Sequence, residues 1–149
     1  MPLQEHKELS KLININKDAC TFYEAATEHA KDTHFKRTFE DLRSLHSDVI
    51  KTLQDHVRAH GDIPEVKETI SGKAQQFWGE VMVSVSNDVD ETLVHHLEEA
   101  EDRCLSSMQE ILERPDITPS TQRVLKSEYS ALEKSHDYMK ALKDTMNAA

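Results

Sequence analysis

Apolar residues recur every three or four positions along four stretches of the chain, the spacing that gives an α-helix one face for a core. In the first stretch the stripe is Leu9, Ile13, Asn16, Cys20, Tyr23, Thr27 and Ala30, and in the second Phe35, Phe39, Leu42, His46, Val49, Leu53, His56 and His60. The third runs Val89, Leu93, His96 or Leu97, Ala100, Cys104, Met108 and Ile111; the fourth runs Leu125, Tyr129, Leu132, His136, Met139 and Met146. Helix breakers separate these stretches. A first helix can begin near Pro2 and run to about Lys31, after which Asp32 or Thr33 caps a second helix that Gly61 terminates as its C′ residue. Asp88 with Glu91 has capping-box spacing for the third helix, Arg114-Pro115 ends it, and Thr118-Pro119 gives the fourth an N-cap and an N1 proline. The chain therefore reads as two helical hairpins joined by residues 61–87, a connection long enough to run the length of a bundle. Pro64 and Gly72 punctuate it, and Ala74, Phe77, Trp78, Val81 and Val85 fall at the spacing of a short helix. The predicted fold is all-α: an antiparallel four-helix bundle with a long crossover between the second and third helices, and residues 1–149 as one domain.

Composition agrees with that pattern and removes several functions. Charged residues make up 31% of the chain, against three Gly, four Pro and 5% aromatics, which suits long amphipathic helices and not a β-sandwich. A net charge of −10 repels nucleic-acid phosphate and anionic lipid, and no Lys/Arg cluster breaks that field, so neither nucleic acid nor a membrane is an expected partner. Glu5, Lys7, Glu8 and Lys11 occupy the place of an apolar signal core, and no stretch approaches the ~18 apolar residues of a span; the expected location is cytoplasmic. Cys20 and Cys104 lie on apolar stripes, far apart and outside any metal-knuckle spacing, as buried reduced thiols would. Glu24, Glu28 and Lys31 form a solvated face. Phe77-Trp78 is expected to pack the crossover onto the bundle or to serve as a partner-binding hot spot. No Gly-rich phosphate loop or nucleophile elbow supports nucleotide or acyl-transfer chemistry.

What remains is the set of polar residues on the apolar stripes. Folding the first two helices back on each other near residue 32 brings Asn16 within a turn of His46. Folding the last two about residues 115–117 sets Glu133 opposite Glu99 and His136 opposite His96. All four helices then place polar groups near mid-length, and Glu133-Lys-Ser-His136 puts a carboxylate and an imidazole together on the last of them.

The order of elements, the Phe22-Tyr23-Glu24-Ala25-Ala26 segment, Glu98-Glu99-Ala100-Glu101-Asp102 and the His near the end of the last helix resemble the bacterial ferritin-like four-helix-bundle proteins of unknown function. That resemblance implies an architecture similar to ferritins and rubrerythrins, in whose di-iron members the first and third helices each give a Glu and the second and fourth each give Glu-x-x-His. Here the fourth helix keeps the pair as Glu133 and His136 and the third offers Glu99, but Asn16 stands where the first helix would give its Glu, and Arg43 precedes His46 by three residues. The candidate metal ligands are Glu99, Glu133, His136 and His46, with Asn16 beside them. Three readings stay open. These groups hold one metal ion; or they form a buried hydrogen-bonded layer that fixes helix register; or, in a hemerythrin-like arrangement, His56 and His60 combine with His95 and Glu99. The expectation is a non-catalytic or degenerate ferritin-like protein with no resident cofactor, acting by self-association, as a dimer, or by binding a protein partner. The alternative is a metal-dependent protein that handles iron or peroxide through a site holding Fe, Mn or Zn.

Overall fold

A computed structural model describes residues 1–67, 72, 75, 76, 79 and 89–148. Four long helices carry the fold: α1 (Leu3–His29), α2 (Thr33–Ala59), α3 (Val89–Leu112) and α4 (Pro119–Ala148). The all-α class read from the stripes is the one observed, and no strand occurs among the described residues. Asp32 caps α2 by accepting a 2.7 Å hydrogen bond from the His34 N–H, and Gly61 closes that helix with φ +82°, a conformation glycine adopts without the Cβ penalty. Asp88 lies outside the described residues, as do Ala74, Phe77, Trp78, Val81 and Val85. Of the expected short helix, Gln75, Gln76 and Gly79 are described, and each is helical; Gly72, expected to punctuate the connection, is helical as well.

Side-chain bonds fix the directions of the helices. Asn16 meets His46 and Cys20 meets Arg43, so α1 and α2 run antiparallel. Glu101 meets Ser135 and Gln109 meets Tyr129, so α3 and α4 do too. Tyr23 of α1 reaches Glu101 of α3, and His56 of α2 reaches Thr121 of α4. Residues 62–67 lie along α1: His6 Nε2 donates to the Ile63 carbonyl, and Asn14 gives a 2.8 Å bond to the Glu65 carbonyl while accepting one from the Lys67 N–H. Several of this segment's backbone polar groups thus find partners on α1, and Pro64 is buried.

The apolar core has two halves. One gathers Phe22, Phe39, Leu93, Leu97 and Met139; the other gathers Leu9, Ile13, Val49, Leu53, Met108, Leu125 and Leu132. Asn16, His46, Glu101 and Ser135 fall between them in sequence on every helix, so the bundle has a polar floor separating two apolar compartments. Among the described residues no helix is long and apolar enough to cross a membrane.

Candidate functional site

The polar floor takes one side chain from each helix, and Tyr23 from α1 closes it from the side of the Phe22–Met139 half. Asn16, Tyr23 and His46 are fully buried, and Glu101 and Ser135 nearly so. Glu101 Oε1 is the hub. It accepts from the Tyr23 hydroxyl, from Ser135 Oγ at 2.6 Å and from His46 Nε2 at 2.8 Å. On the other side of the imidazole, Asn16 spends its amide N–H on the Leu12 carbonyl at 3.0 Å and turns Oδ1 to His46 Nδ1 at 2.7 Å. Both neighbours of the ring are acceptors, so both ring nitrogens donate and His46 is an imidazolium paired with a carboxylate. The Tyr23 ring stacks on it, centroid to centroid 5.7 Å.

Burial works against ionising Glu101, but the His46 charge and the bonds from His46, Ser135 and Tyr23 outweigh it and hold the carboxyl below its usual range. Burial and the charge of Glu101 push the Tyr23 phenol well up, so it stays a donor. Burial, then Glu101, likewise raises the Cys104 thiol far above normal, and Cys20 is pushed up to about 11, chiefly by burial. Both thiols are free, Cys104 buried and Cys20 half-buried, and neither is activated. The second oxygen of Glu101 is buried and has no hydrogen-bond partner among the described residues. Within the floor both His46 nitrogens are thus engaged, one by Asn16 and one by Glu101.

A second polar cluster sits at the bundle end where α1 and α4 begin. Glu5 accepts from the Thr118 N–H at 2.7 Å, the orphan donor that precedes α4, and from the Thr121 hydroxyl at 3.1 Å. His56 Nε2 lies 2.8 Å from the same hydroxyl. Because Thr121 gives its proton to Glu5, His56 Nε2 is the donor to Thr121. Burial, then the nearby His60, lowers the His56 pKa against the pull of Glu5, and the ring is neutral.

A third cluster lies on the α3–α4 flank. His136, 15% exposed in its side chain, places Nε2 2.5 Å from Asp102 Oδ1 and Nδ1 3.1 Å from Asp137 Oδ1. Burial opposes its charge, but Asp137 and Asp102 together raise its pKa. Glu98, one turn before Asp102, is nearly buried and accepts from Lys143 Nζ at 3.1 Å.

These contacts separate the four ligands expected from the sequence. His46 is in the floor and His136 is level with it but on the flank, bonded to the residue after Glu101. Glu99 is exposed and pairs with His95 at 3.3 Å and with His96 at 4.0 Å, and Glu133 is exposed as well. The reason is register. Glu101–Ser135, Asp102–His136 and Gln109–Tyr129 place α4 more than a turn away from a fold about residues 115–117, because its start is drawn past the end of α3 to dock Thr118 on Glu5. His56 and His60 do adjoin, with rings 4.5 Å apart, but they lie at the Thr118 end while His95 lies toward Asp90 and Lys31, so the hemerythrin-like grouping does not assemble. Glu101, Tyr23 and Ser135 were missed as site residues. A signal existed: Leu97, Glu101, Cys104 and Met108 make as regular a stripe as the one through Ala100, and Ser135 sits between Leu132 and Met139 at helical spacing.

The family model of a domain of unknown function, DUF2383, matches residues 4–114. The chain belongs to that family. The DUF2383 match takes in α1, α2 and α3 and therefore four of the five floor residues, Asn16, Tyr23, His46 and Glu101; Ser135 and the flank residue His136 lie beyond it. No curated protein and no solved structure matches the chain.

Proposed function

We propose that this DUF2383 protein is a ferritin-like bundle of the bacterial cytoplasm whose centre is structural and not catalytic, and which works through its surface, by self-association or by binding a protein partner. The observation that carries this reading is the occupancy of His46: both nitrogens are spent inside the floor, on Asn16 and Glu101. A ferritin-like di-metal centre needs bridging carboxylates from facing helices. Asn16 brings no charge to that position, and the His46 imidazolium already neutralises Glu101. The helix directions favour the ferritin-like relationship, with α1/α2 and α3/α4 as antiparallel hairpins and α1 of one against α3 of the other. The test is to add Fe(II) to protein purified without chelator and to follow oxidation, with sedimentation equilibrium on the same preparation. Oxidation at the uncatalysed background and a self-associated species are expected. Two tight irons per chain, lost on Glu101→Ala, would instead establish the metal-dependent reading, a protein handling iron or peroxide from the bundle centre.

A further inference from the structure

Glu98 and Asp102 stand one helical turn apart on α3 and face His136 across the seam with α4. We propose that these three side chains bind a single divalent first-row transition ion, of the Mn(II), Fe(II), Co(II) and Zn(II) class, on the flank of the bundle. This site is separate from the floor and does not depend on the surface role proposed above, because Asp102 faces outward where its neighbour Glu101 faces the core.

One ligand atom from each of the three residues lies within 4.8 Å of the other two. An ion about 2.0–2.2 Å from each would hold those atoms roughly 3–4 Å apart, so the site closes by side-chain rotation without moving a helix. To admit the ion, the His136–Asp102 bond of 2.5 Å has to open slightly and Nε2 has to release its proton to solvent. His136 is already oriented for it: Asp137 engages Nδ1 at 3.1 Å and leaves Nε2 directed at the two α3 carboxylates, the carboxylate–histidine–metal arrangement that fixes a ligand's tautomer. One imidazole with two carboxylates is a mixed donor set that suits borderline and moderately hard divalent ions better than Cu(I), which prefers sulfur, or Ca(II), which takes oxygen alone. Two carboxylates also balance the charge of one dication. The competitor is internal: Lys143 Nζ sits 3.1 Å from Glu98 Oε2 and acts as the resident cation until an ion displaces it or Glu98 binds through its other oxygen.

The experiment uses the full chain stripped with chelator, with Zn(II) followed by calorimetry and Co(II) by its visible absorption. A single ion per chain is expected, with affinity falling at least ~10-fold in His136→Ala and in Asp102→Asn and rising in Lys143→Met. Glu99→Gln and Glu133→Gln should leave it unchanged. All five positions lie at or near the surface, and far-UV circular dichroism of each variant verifies the fold. No retained ion in the parent protein overturns the site, as does binding that survives both His136→Ala and Asp102→Asn, or binding lost in Glu99→Gln or Glu133→Gln instead.

Discussion

His46 and His56 lie about three turns apart on α2, both buried and both hydrogen-bonded, yet one is paired as an ion and the other is neutral. At His46 an ionised carboxylate touches one nitrogen and an amide oxygen the other. At His56 the Glu5 carboxylate is one hydroxyl away, and Thr121 passes on a hydrogen bond without passing on the charge. At His56, burial and the neighbouring His60 outweigh the pull of a carboxylate held one hydroxyl away, whereas at His46 the carboxylate is in direct contact. The difference has an architectural counterpart. The His46 pair joins three helices at mid-bundle and admits one registry of α1, α2 and α3, whereas the His56 cluster ties down the start of α4.

The largest expected effect tests the ionic side of that contrast. His46→Leu leaves Glu101 as a buried, uncompensated carboxylate and should lower stability by about 3–5 kcal/mol in urea denaturation near neutral pH. Adding Glu101→Leu should restore most of the loss, since a buried ion pair often gives way to apolar residues at little cost. Singles that add to the double within ~0.5 kcal/mol would show that the two side chains do not interact. His56→Leu, which removes a neutral ring from a hydroxyl, should cost about 1–3 kcal/mol, and a larger loss there than at His46 would invert the comparison.

At the other cluster, Glu5→Gln keeps the size and removes the charge that sits at the α4 N-terminus. A loss of about 1–2 kcal/mol is expected in the same denaturation experiment. Unchanged stability would mean that the Thr118 N–H and the α4 dipole are served equally well by a neutral oxygen. Nitrogen NMR near neutral pH sharpens the contrast directly: His46 should carry protons on both ring nitrogens and His56 on Nε2 alone.

Titration gives a smaller effect with a sign. The unfolded chain protonates His56 near its ordinary value of 6.5 and the folded chain only below it, so in that window the unfolded state binds more protons and stability falls as pH drops. Glu101 adds a loss of the same sign below 4.5, its ordinary value. His136 works oppositely: with a raised folded pKa, its contribution is present below 6.5 and disappears as pH rises through the folded value. Replacing His56 by Gln should therefore flatten the decline just below 6.5, and replacing His136 by Asn should remove a decline above it. Chemical denaturation at several pH values checks both, and slopes of the reverse sign would overturn the assigned charge states.

Sequence reading reached the first hairpin and failed at the second, for reasons that differ physically. The α1–α2 turn is short and capped by Asp32, so folding the chain back fixes the register to within a turn, and Asn16 meets His46. The α3–α4 connection is longer, and where α4 begins depends on a contact with Glu5, remote in sequence, that no local pattern encodes. With Glu98, Glu99, Glu101 and Asp102 all within five residues, a slip of one turn changes which carboxylate faces the core, so the sequence register set Glu99 near the centre where the structure places Glu101. Periodicity sufficed for the class and the apolar faces; the site needed the register as well.

The smallest effect concerns Arg43, whose place three residues before His46 suggests a positive charge near the floor. It lies instead on the outer face of α2, half-exposed, with Nη1 3.6 Å from Glu24 Oε1, itself 61% exposed. An exposed pair of this kind contributes little because water screens it and two long side chains must be ordered to form it. Arg43→Ala should therefore change stability by less than about 0.5 kcal/mol, with the difference shrinking further as salt is added. It should also leave the His46 ring signals in place, since the Arg43 group that meets the bundle interior is its backbone carbonyl, which accepts from Cys20 Sγ and survives the substitution. A loss above about 1.5 kcal/mol, or a shifted His46 signal, would mean that the guanidinium's field reaches the floor and that the boundary between the ionic centre and the solvated face lies further in than these contacts place it.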